Sequence, residues 1–181
     1  MQALSHIRIR DARDDEHAAI RELTLGAYAE FATIMAPSAW AALEQSLLTA
    51  LAGDAVAERI VAEQDDTLVG SVMLCPPAAG GYGGALARID WPEVRLLAVA
   101  PAARGQGVGT ALMRECMWRA RQAGATALGL HTSDSLRAAV QMYERMGFVR
   151  VPEYDFQPSG AELVKAYRRS LTDASDEFSN L

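Results

Sequence analysis

Lysine is almost missing from this chain: of its 17 basic residues only Lys165 is a lysine. A phosphate loop built on Gly-Lys-Ser/Thr is thereby excluded. Cysteine is scarce as well. Cys75 and Cys116 show neither Cys-x-x-Cys spacing nor a nearby histidine, so no metal and no disulfide is expected, and both read as reduced core residues. No run of about 18 uncharged apolar residues occurs, so no membrane partner is expected. The first residues, Met1 to His6, lack a basic segment followed by an apolar stretch, which makes the cytoplasm the expected location. The net charge of −6 argues against a nucleic-acid partner, which would require a basic face, and is compatible with a cationic amine substrate.

At 181 residues the chain suffices for one domain with a real core, expected over residues 1–172 with a flexible tail at 173–181. Ile7 to Arg10 alternates as a strand does. Asp14-Asp15 then opens a helix carrying Ile20, Leu23, Ala27 and Phe31, and Pro37-Ser38 opens a second carrying Trp40, Leu43, Leu47 and Leu51. Two strand-like runs, Arg59 to Gln64 and Leu68 to Leu74, are joined by Asp65-Asp66-Thr67 as a hairpin. Cys75 to Trp91, with two prolines and four glycines, reads as a surface loop and a candidate substrate lid.

Glu93 to Val99 is the next strand. A helix is expected from Arg104 to Ala123, a strand from Ala127 to His131, a helix from Ser135 to Met146, and strands at Phe148 to Tyr154 and Ala161 to Leu171. The order is β-α-α-β-β-β-α-β-α-β-β, a mixed α/β pattern with at least one parallel pairing in its second half.

Arg104-Gly105-Gln106-Gly107-Val108-Gly109-Thr110 lies between a strand and an amphipathic helix. The first amides of that helix lack carbonyl partners within it, and the helix dipole favours an anion there. Glycine lets the anion approach without an intervening Cβ. A dinucleotide fingerprint would need a third glycine where Thr110 stands. What remains is Arg-x-x-Gly-x-Gly, met by Arg104, Gly107 and Gly109; without further context a merely flexible turn is the alternative.

This motif resembles the acetyl-CoA pyrophosphate loop of the GCN5-related N-acetyltransferase (GNAT) family. Val94 to Pro101 is similar to that family's fourth strand and the connection after it, and Met142-Tyr143-Glu144-Arg145-Met146-Gly147-Phe148 to its Leu-Tyr-x-x-x-Gly-Phe signature. The likeness is strong from about residue 58 to 155, and the N-terminal helices agree in pattern. It implies a GNAT-like acyl-CoA N-acyltransferase fold. It also implies acetyl transfer from acetyl-CoA to a primary amine of a small molecule or peptide, by direct attack within a ternary complex. Residues 104–110 would bind the pyrophosphate, and Leu97, Ala98 and Val99 would line the pantetheine arm, held by backbone groups of Leu97 and Val99. One departure is Leu136, which stands where many relatives carry an asparagine that contacts pantetheine.

By the same resemblance Tyr143 contacts the coenzyme sulfur and is the general acid; a phenol, with a pKa of about 10, is protonated at neutral pH. Spacing alone would make it a core aromatic. Glu93 is the candidate general base, directly or through water. Alternation places Glu93, Arg95, Leu97 and Val99 on one face of their strand, and an ion pair of Glu93 with Arg95 or Arg88 is its structural alternative. Asp90 and His131 are further candidates for the base. Tyr28, Phe31, Trp40 and Tyr82 are candidates to line the acceptor pocket. Two other functions stay open, an acyl-CoA-binding domain without turnover and an acyltransferase using another acyl group or a hydroxyl acceptor. So does assembly as a homodimer.

Overall fold

The computed structural model describes residues 6–53, 57–77, 89–158 and 162–172. Tyr82, Arg88, most of the candidate lid and the 173–181 tail lie outside the described residues. The elements are β1 (Arg8–Asp11), α1 (His17–Tyr28), α2 (Pro37–Ala52), β2 (Glu58–Gln64), β3 (Thr67–Cys75) and β4 (Glu93–Val99). There follow α3 (Val108–Gln122), β5 (Ala127–Thr132), α4 (Arg137–Arg145), β6 (Val149–Arg150) and β7 (Lys165–Ser170). Their succession is the one expected from the sequence.

The seven strands form one mixed sheet in the order β1-β2-β3-β4-β5-β7-β6, with β4 and β5 parallel and the other neighbours antiparallel. Asp65 and Asp66 both adopt positive φ between β2 and β3, the backbone that a two-residue hairpin turn needs and that aspartate tolerates. One face of the sheet is covered by α1 and the other by α3. The buried residues of α3, Val108, Leu112, Met113, Cys116, Met117 and Ala120, recur at helical spacing. Full burial of a side chain such as Leu112 contributes about 1.5–3 kcal/mol. Cys116 lies in this core and its thiol is pushed up to about 12 by burial, while Cys75 is half-buried; both are free thiols.

Several boundaries differ from the sequence reading. α3 starts at Val108 rather than Arg104, because Gly105 and Gly107 take positive φ and residues 104–107 form a turn. α1 stops at Tyr28, and Phe31 belongs to a 3-10 turn over Ala29–Thr33. α4 is shorter at both ends than Ser135 to Met146. The strand expected over Phe148 to Tyr154 is only Val149–Arg150, because Pro152, which has no N–H for a ladder, begins a 3-10 turn through Tyr154. β7 begins at Lys165, after an isolated bridge between Phe156 and Val164.

Candidate active site

A bulge in β4 organises the site. On β3 only Val72 separates Ser71 from Met73, whereas on β4 both Leu96 and Leu97 lie between their partners, Ala98 and Arg95. Leu96 absorbs the extra residue with φ of 52°, a conformation that leucine rarely adopts. The bulge overturns the expectation that Glu93, Arg95, Leu97 and Val99 share a face. Leu97 and Val99 pack against the core on the α3 side, while Leu96 faces Ile20 and Thr24 of α1. Glu93 pairs across the ladder with Gly129, and both lie on the α1 side.

β4 and β5 pair only at Glu93–Gly129 and Val94–Leu130. Beyond these residues they part. The Ala100 amide donates to the Val69 carbonyl, so the alternating ladder turns the N–H and C=O of Val99 to the opposite edge, into the opening. The Leu97 carbonyl accepts a hydrogen bond from the Tyr28 hydroxyl at 3.2 Å, tying α1 to the bulge. Desolvation pushes that phenol up to about 12.

At the end of the opening stands the turn that enters α3. Gly105 and Gly107 have φ of 75° and 84°, and a Cβ on either would meet nothing within 4 Å. No side chain among the described residues caps the helix, and no acidic residue occupies its first turn. These free amides fit a phosphate group. Val108 is buried beneath the turn, Gly109 lies against Met142 of α4, and Thr110 follows on the first turn of α3. Gln106 folds back, its amide donating to the Ala102 carbonyl at 3.0 Å. The Arg104 guanidinium reaches the end of α1, 2.6 Å from Glu30 Oε1 and 2.8 Å from the Ala27 carbonyl. What the turn itself offers an anion is its backbone amides.

Two ionisable groups face away from α3 where the strands part. The side chains of Glu93 and His131 are 4% and 3% exposed, and Nδ1 lies 2.8 Å from Oε1, an ion-pair distance. His131 Nε2 lies 3.0 Å from the Tyr154 carbonyl, and the other Glu93 oxygen accepts from Arg95 at 2.9 Å. Burial raises the pKa of Glu93, but His131 and Arg95 together outweigh it and hold the carboxyl below the usual range. Both imidazole nitrogens face acceptors.

Tyr143 occupies the other face, buried on α4 with its ring 6.0 Å from that of Phe148, and burial lifts its phenol far above the ordinary range. At the N-terminal helices the rings of Tyr28 and Phe31 are 5.9 Å apart and Trp40 is half-buried on α2; Asp90 is exposed ahead of β4.

Sequence reasoning missed a second aromatic group. Trp91 covers Gly129 so closely that a Cβ there would stand 2.1 Å from the indole Nε1. Tyr154 meets Trp91 edge-on at 4.9 Å and Arg168 lies over the indole at 5.1 Å. A glycine inside a strand was the one available sign of this close approach. A cleft of about 640 Å³ lies apart from the opening, lined by Asp11, Glu58 and Arg119 among others. There Arg119 is paired with Asp11, Glu58 and Glu115.

The sequence model of the Acetyltransferase (GNAT) family matches residues 17–148, which extends the likeness through α1 and α2. The chain is 34% identical over 183 residues to a mycothiol acetyltransferase of Nocardia farcinica (strain IFM 10152), covering 93% of this chain and 53% of that protein. It spans about half the length of the curated relatives it matches. Among solved structures, a GNAT family acetyltransferase from Brucella melitensis in complex with acetyl-CoA is 25% identical, covering 90% of this chain and 87% of that one, with a TM-score of 0.57. A GNAT family acetyltransferase from Staphylococcus aureus Mu50 is 15% identical with a TM-score of 0.70, covering 92% of this chain and all of the other; at that identity it shows the fold alone.

Proposed function

Since the chain belongs to the GCN5-related N-acetyltransferase (GNAT) family, we propose that it transfers an acetyl group from acetyl-CoA to a primary amine of a small molecule or peptide. The observation that carries this reading is the opening between β4 and β5. It begins after Val94 and Leu130, runs towards the uncapped start of α3, and has Tyr143 on one face of the sheet and the Glu93–His131 pair on the other.

When bound, acetyl-CoA supplies an activated thioester carbonyl. The amides of residues 105–110 receive its pyrophosphate at the positive end of the α3 dipole. The outward N–H and C=O of Val99, with Leu97 and Ala98 beside it, hold the pantetheine arm. An amine attacks only as its neutral form, so a proton must leave it. Glu93, together with His131, takes that proton directly or through a water on the α1 side. Tyr143 holds a donatable proton at Oη for the departing thiolate, and its burial keeps that proton in place at neutral pH.

The test is incubation with acetyl-CoA and a panel of amines, with the product examined by mass spectrometry before and after hydroxylamine. An amide product survives hydroxylamine, as the proposal requires. A labile product moves the reading to a hydroxyl acceptor, and coenzyme binding without any product moves it to a binding domain.

A further inference from the structure

Thr132 is the last residue of β5 and is 5% exposed, yet its Oγ1 has no hydrogen-bond partner among the described residues. Among the described residues nothing replaces the water that folding strips from this hydroxyl, a loss that valine, of nearly the same shape, would avoid. Buried polar groups in folded proteins are nearly always paired, so an unpaired one calls for a cause.

Its position supplies one. Thr132 lies two residues past Leu130, the last residue of β5 to pair with β4, while its other edge is closed by Lys165 of β7. Strand alternation puts its side chain on the face of Leu128 and Leu130, which are buried in one core with Tyr143 and α3. His131 points the opposite way, to Glu93. The hydroxyl therefore stands at the opening, on the side where α3 begins. Leu136 is apolar, and the Ser135 hydroxyl and amide are taken by Glu162 at 2.6 and 3.2 Å.

We propose that Thr132 Oγ1 is a hydrogen-bonding site for the amide-bearing pantetheine arm of the coenzyme, an inference that rests on the acetyl-CoA reading above. A hydroxyl both donates and accepts, so it serves either half of an amide. Among the described residues the hydroxyl has no partner, and the arm completes it.

The experiment is calorimetric titration of wild type, T132V and T132S with CoA and with adenosine 3′-phosphate 5′-diphosphate, which lacks the arm, beside melting of each free protein. T132V weakens CoA about tenfold, the worth of one hydrogen bond to a buried group, and leaves the nucleotide unchanged. T132S binds both as wild type does. Free T132V melts at or above the wild-type temperature, since no internal bond is lost. CoA binding by T132V at wild-type strength overturns the inference, and so does a melting temperature below wild type, which would reveal an internal partner. Wild type binding the nucleotide as tightly as CoA removes the arm's contact while sparing the coenzyme loop. Wild type binding neither ligand ends the coenzyme reading, and the role of Thr132 with it.

Discussion

His131 and Glu93 come from different strands, β5 and β4, and meet 2.8 Å apart at the last place where those strands are joined. The pair closes the base of the opening, with Arg95 bonded to the other carboxylate oxygen. Removing one member of such a buried set leaves the others without compensation. Glu93→Gln should therefore cost about 3 kcal/mol at neutral pH, measured by chemical denaturation. The carboxyl pKa is lowered by folding, so its stabilisation is present above the ordinary carboxylate range and lost as pH falls through the lowered value. The gap between wild type and Glu93→Gln should narrow below about pH 4. A gap that widens on acidification contradicts the sign.

Tyr143→Phe should lower turnover about a hundredfold while CoA affinity changes less than about twofold, because the lost group is an acid and the ring remains to pack on Phe148. Steady-state kinetics and coenzyme titration check the two halves separately. Unchanged turnover removes the acid role.

Gly107→Ala separates backbone strain from charge. At φ of 84° a Cβ is strained wherever it points, so alanine should cost about 1–2 kcal/mol of stability and bind CoA somewhat more weakly. Gly107→Glu should show a similar stability loss and no measurable CoA binding, because a carboxylate then sits where the helix start attracts an anion. Equal affinity in both variants would take the turn out of the coenzyme site.

Gly129→Ala should displace Trp91, since a Cβ would overlap the indole. The cost is that of overpacking, about 1–3 kcal/mol, accompanied by a change in tryptophan fluorescence as Trp91 leaves Tyr154 and Arg168. Unaltered fluorescence contradicts the packing.

Much of this arrangement was legible in the residues, for physical reasons. Val108 to Ala120 repeats at helical spacing, glycines mark the turn before it, and the tyrosine block lies one strand and one helix further on, so the order of elements and the glycine turn that enters α3 could be read directly. The bulge could not. Arg95-Leu96-Leu97-Ala98 reads as an unbroken strand, and nothing in a leucine signals positive φ, so the facing of Leu97 and Val99 came out reversed. The Arg104 guanidinium is engaged by a helix end 74 to 77 residues earlier in the chain, a contact that no local pattern signals. The seat of Trp91 on Gly129 and the unpaired hydroxyl of Thr132 are likewise tertiary facts, set by which strands happen to be neighbours.

The central claim is catalysis of acetyl transfer at the β4–β5 opening, and free thiol release from acetyl-CoA, followed across a panel of amines with wild type and Tyr143→Phe side by side, tests it most directly. The account predicts amine-dependent thiol release by wild type that falls about a hundredfold in Tyr143→Phe. Tight CoA binding with no thiol release for any amine would contradict it.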